Sequence, residues 1–224
     1  MKELFPENYT VLLYGPPGVG KFEYCLDLTH YYLENGEKVI YLTTERSPKE
    51  IMERASSMDL DFAKYEDTSL VFVDCFSWSV GKRYEKGFSI SDPTNLEEIN
   101  INMEKAVAKL AKPVKIVFHS LSPLFLHNPA PEITKAFQVL ASHARTDYGF
   151  MLATLQEGVH HPQVVNTLMY LMDGYLQMKF ESGKDGLERK MRAHHLKGLE
   201  HGQSWQEYEI TEKGFELKEL WEWI

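Results

Sequence analysis

The stretch Thr10–Lys21, TVLLYGPPGVGK, runs from a β-branched and aliphatic segment into a glycine-rich loop that ends in lysine. Gly15, Gly20 and Lys21 match the spacing G-x-x-x-x-G-K-[ST], in which a strand delivers a loop of inward-turned N–H groups to the start of a helix. Gly15, Pro16, Pro17, Gly18, Val19, Gly20 and Lys21 are therefore the candidate phosphate cradle. The backbone N–H groups, the positive end of the following helix and the lysine ammonium would act together. The competing reading is an ordinary glycine-rich turn between strand and helix. The pattern breaks at its last position, where Phe22 stands in place of the hydroxyl that holds Mg²⁺ in such loops.

Outward from the loop, the spacing of Phe22, Cys25, Leu26, Thr29, Tyr32 and Leu33 predicts a helix stopped by Asn35-Gly36. Strands are predicted at 10–14, 38–43, 70–74, 114–118 and 149–155. Ser47-Pro48-Lys49-Glu50 is a strong helix start, carried to about Met58. Further helices are expected at about 96–111 and 133–145, and 77–95 reads as a long surface loop. This alternation predicts an α/β fold with a mainly parallel sheet and helices on both faces. After Gln156 the rhythm changes. Tyr175–Phe180, Leu187–His194 and Trp205–Ile210 read as strands of an antiparallel extension, one joined by the turn Gly183–Gly186. The tail 215–224, with Trp221 and Trp223, reads as a terminal element docking on the core. A single domain over 1–224 is expected, with a nucleotide-binding core at 1–156 and the extension and tail at 157–224.

Composition narrows the classes. The 224 residues are 43% hydrophobic and 25% charged, enough for a real core. A formal net charge of −9 disfavours non-specific nucleic-acid binding through a basic field. Cys25 and Cys75 lie in apolar runs and read as buried reduced thiols. No stretch has the ~20 apolar residues that span a bilayer, and the chain reads as cytoplasmic. His160, His161, His194, His195 and His201 lack the spacing of a metal site, so no metal ligands are assigned.

With GPPGVGK, KVIYLTTERSPKEIMERA, LVFVDCFS, KIVFHSLSPLF, DGYLQMKF, HLKGLEH and YEIT in that order, the chain resembles KaiC-like ATPases of the RecA superfamily, of the short single-domain archaeal type. The resemblance covers about residues 6–214. It implies a RecA-like core that binds ATP or ADP, and an oligomer. It also implies that His119 stands where the family's second nucleotide motif has an aspartate of the Mg²⁺ shell. Asp74, ending LVFVD, is the rival for that place.

In the same family paired carboxylates follow the second strand. Here Glu45 is kept and Arg46 replaces its neighbour, so Glu45 is the candidate base or water-orienting group, or else a solvated strand-end glutamate. Gln156 resembles the sensor of the γ-phosphate, with a plain loop glutamine as the alternative. His195 and Lys197 take the places of a Lys-x-Arg pair that reaches a neighbouring subunit's nucleotide. Phe22, His119 and Arg46 together imply weak or absent hydrolysis, with Mg²⁺ lacking its usual contacts and nucleotide occupancy controlling an oligomer or an unidentified protein partner. The rivals are a competent ATPase using Glu45 or Asp74, and an interaction protein that has lost nucleotide.

Overall fold

The computed structural model describes residues 5–82, 84–183 and 186–218. Among those residues its frame is one ten-stranded sheet, ordered β10 (Gly214–Leu217), β9 (Gln206–Thr211), β8 (Gly186–Leu196), β7 (Gly174–Gly183), β1 (Tyr9–Gly15), β6 (Gly149–Gln156), β5 (Val114–His119), β2 (Val39–Thr43), β3 (Leu70–Asp74) and β4 (Phe88–Ser89). The parallel centre comprises β1 (Tyr9–Gly15), β2 (Val39–Thr43), β3 (Leu70–Asp74), β5 (Val114–His119) and β6 (Gly149–Gln156). These are the runs rich in Val, Ile, Leu and aromatic residues, and the side chains of β2, β3 and β5 are buried throughout. Burial on both faces follows from the strand period of two. Val11 and Leu13 enter the core under α1 (Lys21–Glu34) and α2 (Pro48–Ser56), whereas Leu12 enters the opposite one. That second core is closed by α3 (Leu96–Leu110), α4 (Ala130–His143) and α5 (Pro162–Tyr170).

Local chemistry sets the helix ends. Ser47 caps α2 in a full capping box: its Oγ accepts from the Glu50 N–H, and Glu50 Oε2 accepts from the Ser47 N–H. Asn95 caps α3 by accepting from the Glu98 N–H. The α4 helix begins three residues earlier than periodicity predicts and runs into a π-turn at Ala144–Tyr148.

Three expectations are corrected. The region after Gln156 contains α5, whose start is set by the His161 side chain accepting from the Gln163 N–H, with Pro162 at its first position. Next, β7 (Gly174–Gly183) is not wholly part of an antiparallel extension. It runs parallel to β1 in the register Val11↔Gly174 to Tyr14↔Gln177, and antiparallel pairing starts only with β8 (Gly186–Leu196), then β9 (Gln206–Thr211) and β10 (Gly214–Leu217). The physical reason is that α5 reverses the chain, as a crossover between parallel strands must. Finally, the loop expected at 77–95 holds a 3₁₀ turn at Ser77–Val80 and the two-residue β4 (Phe88–Ser89) beside β3. Buried Ile90 anchors that segment.

Phe215 of the tail stacks on Tyr208 and meets Tyr24 of α1 edge-on. Trp221, Trp223 and the two central residues of the Gly183–Gly186 turn lie outside the described residues. Both cysteines are buried and free. Among the described residues no helix is long and apolar enough to cross a membrane.

Candidate nucleotide site

Open α/β sheets bind ligands beyond the carboxyl ends of their strands, and here those ends converge. Gly15 of β1 pairs with Gln156 of β6, and Thr43 of β2 pairs with His119 of β5. The cleft above them holds about 360 Å³ and is lined by Gly18, Gly20, Lys21, Phe22, Glu23, Glu45, Arg46, His119, Gln156, Arg189 and Ile210. The structure thus brings together most of the residues singled out from sequence. Val19 is buried, and its carbonyl accepts from the Tyr208 hydroxyl at 2.6 Å.

Lys21 folds back onto its own loop, donating from Nζ to the Gly15 carbonyl at 2.6 Å and the Pro16 carbonyl at 2.8 Å. An ammonium has three donors, so one is left for a ligand. Burial lowers its pKa to about 8, against smaller upward pulls from Glu45, Cys25 and Glu157. Gly20 sits at φ +108° and Gly18 at φ +73°, in the left-handed region that turns successive N–H groups inward.

At the far wall the sequence's departures form one stack. The Phe22 ring lies on the His119 imidazole, with centroids 5.4 Å apart and planes 22° apart, and the Arg46 guanidinium lies 4.7 Å above Phe22. His119, at the end of β5 and 3% exposed, has both ring nitrogens engaged. Nδ1 meets Thr154 Oγ1 at 2.9 Å, and Nε2 lies 3.3 Å from Glu45 Oε2. Glu45 accepts a second bond from Ser120 Oγ at 2.7 Å. Burial pushes the Glu45 carboxyl up, but the hydrogen bond and charge of His119, then Ser120 and Lys21, outweigh it and hold the pKa near 2.

A carboxyl held below its ordinary 4.5 contributes stability that is complete above that value and is lost as pH falls towards 2. Glu45→Gln is therefore expected to lower stability at neutral pH, with its deficit against the parent closing between about pH 4.5 and 2. Urea unfolding of both proteins across that range measures the convergence.

Asp74 is placed differently. It ends β3, beyond β2 from β5, and its Oδ1 accepts from the N–H groups of Phe76 and Ser77 at 2.9 and 3.0 Å. It does not line the cleft above Lys21. His195 and Lys197 are also apart from it. They lie at the end of β8 that pairs with the start of β7, near Tyr9, whose hydroxyl donates to the Lys197 carbonyl at 3.2 Å. Both are exposed, at the opposite end of β1 from the phosphate loop. His160 pairs with Ser122 Oγ at 2.9 Å, and the same oxygen accepts the Gln156 N–H at 2.8 Å.

The donor set fits a polyphosphate and does not fit a magnesium ion held in the usual way. The loop N–H groups and the spare Lys21 donor suit an anion. Mg²⁺ takes oxygen ligands in octahedral geometry. Phe22 and His119, which the family resemblance sets at the two usual contacts, are a phenyl ring and an imidazole stacked on one another, and neither offers an oxygen. Among the described residues no group of three or more His, Cys, Asp or Glu is arranged to hold a metal.

Sequence reasoning missed Glu23, Arg189, Ile210 and Tyr208. Glu23, on the first turn of α1, was legible from its place after the loop. The other three arrive through strand pairing that no local spacing encodes.

The family described as "ATPase: KaiC" matches residues 1–221. A UPF0273 protein of Methanopyrus kandleri is 25% identical over 95% of this chain and 84% of its own length. A UPF0273 protein of Pyrococcus furiosus is 28% identical, over 93% and 85%. The crystal structure of a KaiC-like protein from Pyrococcus horikoshii superposes with a TM-score of 0.75 at 16% identity, covering 96% of this chain and 91% of that one.

Proposed function

The chain belongs to the KaiC family of ATPases, and from that premise we propose that it binds ATP or ADP at Gly15–Lys21, hydrolyses the triphosphate weakly or not at all, and signals occupancy to an oligomer or protein partner. One observation supports this reading: the Phe22 ring stacks on His119, the two residues that the family resemblance sets at the magnesium contacts, while Lys21 holds the carbonyls of its own loop. In phosphate-loop enzymes the metal neutralises charge developing on the β- and γ-oxygens, so its loss affects turnover more than binding. Glu45 is also poorly placed as a base. With a pKa near 2 and both oxygens engaged by His119 and Ser120, it is a weak proton acceptor at neutral pH.

The exposure of His195 and Lys197 supports a contact with a neighbouring subunit. An imidazole and an ammonium lack the planar fork of arginine, so stimulation across that contact is expected to be poor.

Calorimetry with ATP and ADP, alongside steady-state phosphate release, tests the proposal. Binding is expected, with turnover below ~0.01 s⁻¹, the pace of a slow NTPase. Lys21→Ala is expected to weaken binding by about 10- to 100-fold, the worth of a hydrogen bond to a charged group. Because the Lys21 pKa is lowered to about 8, the free site loses its cation above that pH, and affinity for the parent protein should fall there. Mg²⁺- and Lys21-dependent turnover well above that rate would overturn the reading, as would no heat with either nucleotide.

A further inference from the structure

Two cations of the cleft have no role so far, and they come from opposite sides. Arg46 follows β2, three strands from β1 on one side of the sheet; Arg189 lies on β8, two strands from β1 on the other. The register explains how Arg189 reaches the loop. Tyr14 pairs with Gln177, so β7 continues past the end of β1, and Arg189 sits opposite Phe180 in that overhang.

The acids of the cleft are already engaged. Glu23 lies 3.5 Å from Arg54 of α2, and Glu45 is held by His119 and Ser120. Glu50, four residues after Arg46, is taken up by the Ser47 cap. Among the described residues neither Arg46 nor Arg189 has a carboxylate within ion-pair distance. Arg46 rests on the Phe22 ring, and Arg189 lies 5.5 Å from the Phe180 centroid. The Arg189 Nε–H is buried without a hydrogen-bond partner, a condition that is unfavourable until a ligand relieves it.

A polyphosphate entering this cleft brings several negative charges to a place where the fold's usual counter-charge does not fit. Guanidinium groups suit that task, because they present several donors in a plane, stay ionised and are weakly hydrated. We propose that Arg46 and Arg189 supply, from the two walls of the cleft, the positive charge that a divalent cation supplies in magnesium-dependent phosphate loops, so that the site takes a nucleoside di- or triphosphate as its metal-free anion. The inference rests on the reading of Gly15–Lys21 as a nucleotide site and adds the form of the ligand and the residues that select it. Phe22 then has a positive role: its ring seats Arg46 where a hydroxyl would have placed a metal.

Calorimetric titration of the full chain with ATP, ADP and inorganic tripolyphosphate, in excess EDTA and in excess Mg²⁺, tests this. Binding in EDTA should equal or exceed binding in Mg²⁺ for all three anions. Arg46→Ala and Arg189→Ala should each weaken ATP binding in EDTA by about 10-fold or more, and Arg189→Lys should restore part of the loss. Circular dichroism and thermal melting of each variant separate this from misfolding, since both side chains are at least partly exposed. Binding that requires Mg²⁺, or survives EDTA but ignores both substitutions in folded protein, overturns the role of the arginines and leaves the nucleotide site standing. No binding of any anion in either condition overturns the nucleotide reading and this inference together.

Discussion

Gly20→Ala is expected to cost about 2–5 kcal/mol of stability, combining a left-handed backbone forced on a side chain with overpacking at the new methyl. Gly20 has φ +108°, and a Cβ there would lie 2.4 Å from Ile210 Cδ1. That atom is the end of a flexible, half-buried side chain, so a turn of Ile210 relieves part of the collision and the rest falls on the strand that carries it. Ile210 stands on β9, where it pairs with Phe215, which stacks on Tyr208, and the Tyr208 hydroxyl holds the Val19 carbonyl. Displacing Ile210 therefore loads the contact that shapes the phosphate loop, and nucleotide affinity should fall with stability. Gly18→Ala is the control. Gly18 is also left-handed, at φ +73°, but a Cβ there meets nothing within 4 Å, so only the backbone cost of about 1–2 kcal/mol is expected. Urea unfolding and ATP calorimetry on the pair separate strain from collision. Equal losses in the two variants would show that β9 does not constrain the loop.

His119→Asp is expected to destabilise the protein by about 3–5 kcal/mol at neutral pH, the usual penalty for an unpaired buried charge. His119 is buried, with Nε2 only 3.3 Å from Glu45, so the substitution replaces a favourable contact by two carboxylates facing each other. One of the pair must then hold a proton, and the penalty should shrink as pH falls. The variant also supplies the oxygen donor that the native position lacks. Mg²⁺ should raise its melting temperature, more so when Phe22→Ser is added, and should leave the parent protein nearly unmoved. A comparable Mg²⁺ shift in the parent would mean that the native cleft holds the metal after all.

The parallel centre of the fold was legible because its signals are local. LVFVD and VIYLT are continuous apolar runs, and Ser47-Pro48-x-Glu50 states a helix start within four residues. The stretch after Gln156 was less legible. The short run Pro162–Tyr170 has buried residues at only Val165 and Leu168, too weak a period to stand out, and whether β7 pairs parallel or antiparallel depends on the crossover before it. Phe88–Ser89 is strand only because β3 lies beside it.

The site divides in the same way. The stretch from Thr10 to Phe22 determined by itself a strand, a turn requiring left-handed glycines, a helix start with a lysine in register, and a final position with no metal ligand. Each of these depends on residues a few positions apart, where the chain has little freedom to do otherwise. What surrounds the loop is a product of tertiary structure. That the Phe22 ring lies on His119 and under Arg46, that Glu45 is held by Ser120, and that Arg189 and Ile210 reach the cleft from β8 and β9 are contacts between residues 24 to 190 positions apart. Only sheet order and register bring such residues together, and those are set by the packing of both cores at once.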